Sequence, residues 1–307
     1  MSDPQPGRVL ITGANGHLGR RLLTRLASER PLRAVVRSER AARQVADTRG
    51  APAVETMVLD YGDVAALTRA AEGCTHAVHL VGILKEDPTR RYVDAHQGTT
   101  RALALAAAAR GLRRVVYLSI LGSHPDAENA CLASKGRAEQ ILLEAKTPAL
   151  VLRVPMVLGE GDFASRALRG QARSRLVPLL RGGASREQPI YAGDVVEAIV
   201  AGVTRPGLDD VALDLAGPEQ LSRRELLARC AVLHGARPRV LPVPLGANLA
   251  LAFLLEKLLA NPPVTRAMLG VLDHDDDVDV AQACQRLGLA LTPLDVVLRR
   301  CVGPEAA

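Results

Sequence analysis

The 307-residue sequence predicts an α/β fold, a doubly wound parallel sheet with a smaller C-terminal α/β lobe. Three observations predict it. Apolar strand-like runs alternate with helical periodicity five times up to Val154, the rhythm of parallel strands covered on both faces. The first of these runs opens into a turn with glycines at positions 13, 16 and 19. After Val154, Pro155 and Gly159-Glu160-Gly161-Asp162 break the rhythm. Residues 1–154 therefore read as a dinucleotide-binding domain and 155–307 as a smaller substrate or partner lobe, with the return of some of its strands to the main sheet left open.

The first strand, Val9 to Ile11, leads into Thr12-Gly13-Ala14-Asn15-Gly16-His17-Leu18-Gly19. At this spacing Gly13 permits a tight turn, Gly16 lets the backbone approach a pyrophosphate, and Gly19 lets the next helix pack closely on its strand. That helix, Gly16 to about Ser28, repeats Leu18, Leu22, Leu23 and Leu26 at helical spacing. Its N-terminus offers unpaired N–H groups and a positive dipole end to an anion, so Gly13, Ala14, Asn15, Gly16, His17, Leu18 and Gly19 are the expected pyrophosphate cradle. A second strand, Leu32 to Val36, ends in Arg37-Ser38-Glu39-Arg40. A carboxylate there would grip a free ribose 2′-hydroxyl, whereas arginine suits a 2′-phosphate. Arg37, supported by Ser38 or Arg40, thus argues for NADP(H) over NAD(H); the plain alternative is a solvated arginine in an arginine-rich chain.

A third strand, Val54 to Leu59, runs into Asp60-Tyr61-Gly62-Asp63, which sets Asp60 and Tyr61 at the adenine end and Asp63 as the N-cap of a helix through Ala71. The fourth, Ala77 to Leu80, continues into Val81-Gly82, where a glycine at a strand's end permits close approach of a ligand. An alanine-rich helix over 94–110, a fifth strand Arg114 to Leu118 delivering Ser119, a helix from near Leu132 carrying Lys135, and a sixth strand Ala149 to Val154 follow. Ligands of such sheets sit outside the strands' C-terminal ends, and Gly13, Gly16, Gly82 and Ser119 all fall there.

The rest reads as loop-rich and basic through Pro189, then as a helix Asp194 to Val203 capped by Asp194 and a strand Val211 to Leu215. Ser222-x-x-Glu225 has the spacing of a capping box. Leu249 to Leu259 is a markedly apolar helix bounded by Pro262-Pro263, either core or a docking face.

Composition narrows the function. The net charge is +6, but the basic residues are dispersed, and two Phe and no Trp leave little for base stacking, which argues against nucleic acid. No apolar run reaches the roughly 18 residues of a membrane helix and no signal pattern opens the chain, so a cytoplasmic protein is expected, with peripheral membrane association left open. Residues 1–7 read as a loose polar leader. The five cysteines have neither metal-ligand spacing nor the even count of a disulfide framework, so no metal is expected and the thiols should be reduced.

With Thr12-Gly-x-x-Gly-x-x-Gly19, Asp60, Ser119 and Lys135 in this order, the chain resembles the short-chain dehydrogenase/reductase superfamily. His79-Leu80-Val81-Gly82, Arg153-Val154-Pro155 and Tyr191-Ala192-Gly193-Asp194-Val195-Val196 are similar to segments of its extended and atypical members. Leu80-Val-Gly-Ile-Leu84, Leu213-Asp-Leu-Ala-Gly-Pro218 and Val264-Thr-Arg-Ala-Met268 are similar to the family of the 39-kDa accessory subunit of respiratory complex I and its bacterial relatives. The resemblance implies a Rossmann-type domain holding a nicotinamide dinucleotide, with Pro155 among the cofactor residues, and a C-terminal lobe closing over a small-molecule substrate.

It also exposes a departure. The superfamily pairs a proton-donating Tyr with a Lys four residues on and a Ser that orients the substrate oxygen. Here Cys131 stands at the tyrosine position, Lys135 at the lysine position and Ser119 at the serine position. Only four of the 39 basic residues are lysines, so a lysine at that place suggests a role a planar guanidinium cannot fill, such as bonding two ribose hydroxyls. Two functions follow: an NADP(H)-dependent oxidoreductase or epimerase with an altered proton donor, or a catalytically silent NADP(H)-binding structural or assembly protein. A redox sensor reading the NADP(H) pool shares the cofactor residues and has no feature of its own.

Overall fold

The computed structural model describes residues 7–50, 54–259, 262, 265–272 and 274–306. The leader before Gly7, together with Pro263 and Val264, lies outside the described residues. The chain forms two compact units, one from 1–83, 90–153 and 196–213, the other from 84–89, 154–195 and 214–307.

In the first unit strands and helices alternate: β1 (Arg8–Thr12), α1 (His17–Leu26), β2 (Leu32–Val36), α2 (Glu39–Ala46), β3 (Glu55–Val58), α3 (Val64–Ala70), β4 (Cys74–His79), α4 (Thr99–Arg110), β5 (Arg114–Ile120), α5 (Ala130–Leu143) and β6 (Ala149–Val154). The strands run in the order β3-β2-β1-β4-β5-β6, and β1 pairs in parallel with both β2 and β4. The pairs β2 with β3 and β4 with β5 are parallel as well. Strand order reverses at β1, which makes the β1 and β4 ends the switch point where ligands of such sheets bind. All five residues of β2 and the last four of β1 are buried, as strands covered on both faces require.

Local chemistry sets the helix ends. Ser38, Asp63 and Asn129 each accept a backbone N–H at the start of α2, α3 and α5. Gly111, at φ +62°, turns the chain out of α4. The helix expected over 94–110 opens as a π-helical turn, Val93–Gly98, before α4 begins at Thr99.

Beyond β6 come β7 (Val157–Leu158), α6 (Phe163–Arg173), β8 (Leu176–Leu180), β9 (Arg186–Glu187), β10 (Ile190–Tyr191), α7 (Ala192–Thr204), β11 (Val211–Asp214), β12 (Leu221–Ser222), α8 (Arg223–Val232), β13 (Arg239–Val243), α9 (Leu245–Leu258), α10 (Arg266–Leu272), α11 (Ala281–Leu287) and α12 (Leu294–Cys301). The stretch read as loop through Pro189 therefore contains a helix. Asp162 caps α6 by accepting Ser165 N–H at 2.6 Å, and Leu168 and Ala172 bury its inner face. Asp194 is not a cap, because α7 already starts at Ala192; its carboxylate accepts Thr292 N–H and Oγ1–H, both at 2.8 Å.

β11 returns to the large sheet beside β6, making seven strands. Arg114 of β5 fixes that return by donating to Asp209 at 2.6 Å and to the carbonyls of Gly202 and Arg205 at 2.7 and 2.8 Å. A Cβ on Gly202 would stand 2.7 Å from Leu150 Cδ2, so only glycine lets α7 seat this closely on the sheet. The second unit has its own core, including Leu158, Leu168, Leu226, Leu227, Val297 and Leu298. Among the described residues no helix is long and apolar enough to cross a membrane.

Candidate dinucleotide site

The glycine turn joins β1 to α1. Gly13 has φ +75°, the left-handed conformation that favours glycine, and its N–H is held by Val35 O at 3.2 Å and Tyr61 Oη at 3.1 Å. Gly16 is the N-cap of α1, exposed, and no side chain caps the helix. A Cβ on Gly19 would lie 2.6 Å from Ala14 O and 2.7 Å from Gly13 O, which brings α1 onto its own turn only as glycine. The turn thus leaves a helix N-terminus open to an anion.

Next to it lies a cavity of about 460 Å³ lined by Asn15, Arg37, Ser38, Ala41 and Asp60. Asn15 is steadied by Gln44 at 3.0 Å, and Asp60 accepts Gly62 N–H at 2.9 Å. Arg37 and Arg40 are exposed, and Ser38 Oγ accepts Ala41 N–H while keeping its own proton to give. Tyr61 is placed differently from these. Its buried hydroxyl donates to Val35 O at 3.2 Å and accepts from Gly13, so it braces the turn from inside; burial raises its pKa.

The other end is built around Gly82 and Lys135. Lys135 is buried, and its ammonium donates to Tyr117 Oη at 3.0 Å and Leu118 O at 2.9 Å while lying 4.4 Å from the Tyr117 ring centroid. Burial holds its pKa down to about 8 against the opposing pull of Cys131 and Glu139. A Cβ on Gly82 would come within 3.3 Å of Nζ and 3.6 Å of His96 Nε2, so glycine keeps this corner open. Val81, just before it, is half-buried. Cys131 is fully buried, with Sγ directed to Ile83 O at 3.7 Å. Ser119 Oγ donates to Glu139, a buried carboxylate that also takes two donors from Arg153 at 2.6 and 2.8 Å.

Residues 13–176 match the profile of a family described as NAD(P)H-binding. The chain belongs to that family. This NAD(P)H-binding chain is 32% identical over 247 residues to a Caulobacter vibrioides protein named ceramide reductase, spanning 80% of this chain and 76% of that one. It is 27% identical over 253 residues to the mitochondrial NADH dehydrogenase (ubiquinone) 1 alpha subcomplex subunit 9 of Arabidopsis thaliana, 79% of this chain and 61% of that one, so the complex I likeness read from the sequence holds. A nucleoside-diphosphate-sugar epimerase of Staphylococcus aureus shares the fold, with a TM-score of 0.75 at 18% identity over 95% of this chain and 100% of that one.

Several polar contacts of this NAD(P)H-binding chain are not announced by the sequence. His79 lies 2.6 Å from Thr12 Oγ1 and stacks on Tyr117, with ring centroids 5.6 Å apart. His96 Nε2 lies 3.1 Å from both the N–H and the carbonyl of Ile83, and burial, then the charge of Lys135, pushes its pKa down to about 3. Tyr117 shares a strand face with Ser119, and Glu139 follows Lys135 by one helical turn, so period two and period four were the available signals. Pro155 and Tyr191 belong to the second unit, where Tyr191 donates to Glu160 at 2.8 Å.

Proposed function

We propose that the chain is an NADP(H)-dependent reductase acting on a carbonyl of a small molecule. The observation that carries the cofactor half is the cavity lined by Asn15, Arg37, Ser38, Ala41 and Asp60, in which the end of β2 itself carries Arg37 at the place where a carboxylate would grip a free ribose 2′-hydroxyl, Asp60 coming from beyond β3. The residues fit a dinucleotide: the left-handed Gly13, the uncapped N-terminus of α1 and the Gly82 corner leave backbone accessible where a phosphate and a ribose need it. In this reading Gly13, Ala14, Asn15, Gly16, His17, Leu18 and Gly19 take the pyrophosphate, Arg37, Ser38 and Arg40 the 2′-phosphate, Asp60 the adenine, and Lys135 with Val81 and Gly82 the nicotinamide end. Tyr61 serves indirectly by holding Gly13. The bound cofactor supplies the hydride and solvent water the proton that completes the reduction of the carbonyl. Residues 155–307 are the proposed substrate or partner lobe, and the cytoplasm, where free thiols stay reduced, is the proposed compartment.

Arg37→Asp should reverse the cofactor preference and weaken NADPH binding at least roughly tenfold, since a charge-assisted bond to phosphate contributes about 1.5–3 kcal/mol. Titration of both dinucleotides checks this. Equal curves for NADPH and NADH in the unmodified protein overturn the assignment.

The reductase half is supported by likeness to the Caulobacter protein named a reductase. Cys131 takes no part as proton donor in this reading, because its thiol is fully buried and directed to Ile83 O. Purified protein should oxidise NADPH with a member of a panel of quinones, aldehydes and ketones, and Cys131→Ala should leave that rate unchanged. A fall of roughly 10²-fold or more in Cys131→Ala would make the thiol part of the mechanism. A second reading, the silent NADP(H)-binding protein, is favoured by the same burial of Cys131 and by the engagement of Ser119 with Glu139. Its mark is an inert wild type whose Cys131→Tyr variant gains carbonyl reduction.

A further inference from the structure

A surface helix ordinarily buries an apolar stripe and shows a polar face to water. In α9 the inner side keeps that rule, with Ala252 buried and Leu255 half-buried, but the outer side is apolar as well. Ala252 is 1% exposed, whereas Phe253, Leu254 and Leu258 are 46%, 53% and 70% exposed, with the exposed Lys257 between them. At 3.6 residues per turn these four share one continuous outer arc. Leu259, 45% exposed, prolongs it past the helix end.

The charges beside this arc sum to one positive unit, because Arg266 and Glu256 pair and Lys257 is the charge left over. Lys257 Nζ lies 5.7 Å and the Arg266 guanidinium 5.1 Å from the Phe253 ring centroid, so two cations flank the exposed aromatic. The neighbouring carboxylate, Glu256, is engaged by the backbone N–H and Nε of Arg266 at 2.7 and 2.9 Å. A second copy is a poor occupant. One helical arc falls well short of the ~800 Å² per partner that a stable protein interface buries, and a twofold pairing would bring a second Lys257 into the same apolar patch. An anionic lipid surface meets both features, since it accepts a few inserted apolar side chains and attracts the lysine, whose stem lies along the apolar zone while its head reaches phosphate.

We propose that the outer arc of α9 docks the protein on anionic lipid membranes, with Phe253, Leu254 and Leu258 entering the interface and Lys257 pairing with headgroups. The helix lies in the surface plane, being too short to span.

The test is co-sedimentation of the full chain with vesicles of phosphatidylcholine alone and of phosphatidylcholine mixed with phosphatidylglycerol. Binding is expected to be stronger to the anionic vesicles and to weaken with salt. Leu254→Asp combined with Leu258→Asp should lower it roughly tenfold or more, with circular dichroism and dinucleotide titration unchanged. Phe163→Asp, at an apolar side chain 81% exposed on α6, is the control and should bind vesicles as the wild type does. Failure to bind either vesicle overturns the proposal, as does equal loss in the control. A dimer in light scattering that the double variant dissolves assigns the arc to a second copy and overturns it too.

Discussion

Gly16→Val is expected to abolish dinucleotide binding, a loss beyond roughly 10²-fold, while the fold survives. Gly16 has φ −64° and ψ 168°, a conformation open to any residue, so backbone strain does not enter. A Cβ there would meet only Gly13 O, at 3.2 Å, which a shift of a few tenths of an ångström relieves. What valine takes away is the exposed backbone at the N-terminus of α1, where a pyrophosphate must come within hydrogen-bond distance. Gly19→Ala should behave in the opposite way. Its methyl would press on the backbone of Ala14 and Gly13 at 2.6–2.7 Å, so stability falls first and binding only as a consequence. Thermal unfolding together with NADPH titration of both variants separates the two effects. A Gly16→Val protein that binds with unchanged affinity would show that the glycine is structural and remove the pyrophosphate from this turn.

Those two glycines also show why the first unit was legible from sequence. Most elements there answer to a local cause: continuous apolar runs for the doubly covered strands, Asp63 for a cap, glycines 13, 16 and 19 for a turn, whereas α2 has only the Ser38 cap and the π-helical turn no such signal. The strand Leu32–Val36 and its arginine end follow from such rules, and so does the strand Ala149–Val154. The second unit was harder because its causes are long-range. Asp194 reads locally as a cap, yet its partner is Thr292, distant in sequence, and no local rule announces that. The helix after Asp162 is hidden in the sequence because Gly161, at φ +73°, looks like loop although it is the turn that launches the helix. At the site, the resemblance and the scarcity of lysine pointed to Lys135 but not to its environment. Tyr117, Leu118 O and Gly82 reach Nζ from β5 and from the end of β4, elements whose spacing only the sheet order decides.

Lys135→Met tests that environment and the cofactor reading together. Two of the ammonium's three N–H bonds go to Tyr117 and Leu118; if the third goes to a ribose hydroxyl, its loss removes a charge-assisted hydrogen bond of about 1.5–3 kcal/mol, so NADPH affinity should fall roughly 10- to 10²-fold. Wild-type affinity should itself decline as pH rises through about 8, where the buried ammonium gives up its proton, and the Met variant should lack that decline. Stability moves the other way. The folded pKa lies below the 10.5 of an unperturbed lysine, so between about 8 and 10.5 the unfolded chain binds the extra proton and unfolding becomes harder as pH rises. Below about 8 both states are protonated, and the native state carries the cost of a buried charge, on the order of 3–4 kcal/mol for a shift from 10.5 to about 8. The wild type should therefore gain stability relative to Lys135→Met across that window, which denaturant titration at pH 7.5 and at pH 10 can measure because other groups titrate alike in both proteins. A Met variant that binds NADPH as tightly as the wild type, or a stability difference that does not change with pH, would mean that Nζ serves only Tyr117 and Leu118 and leaves the ribose without a holder.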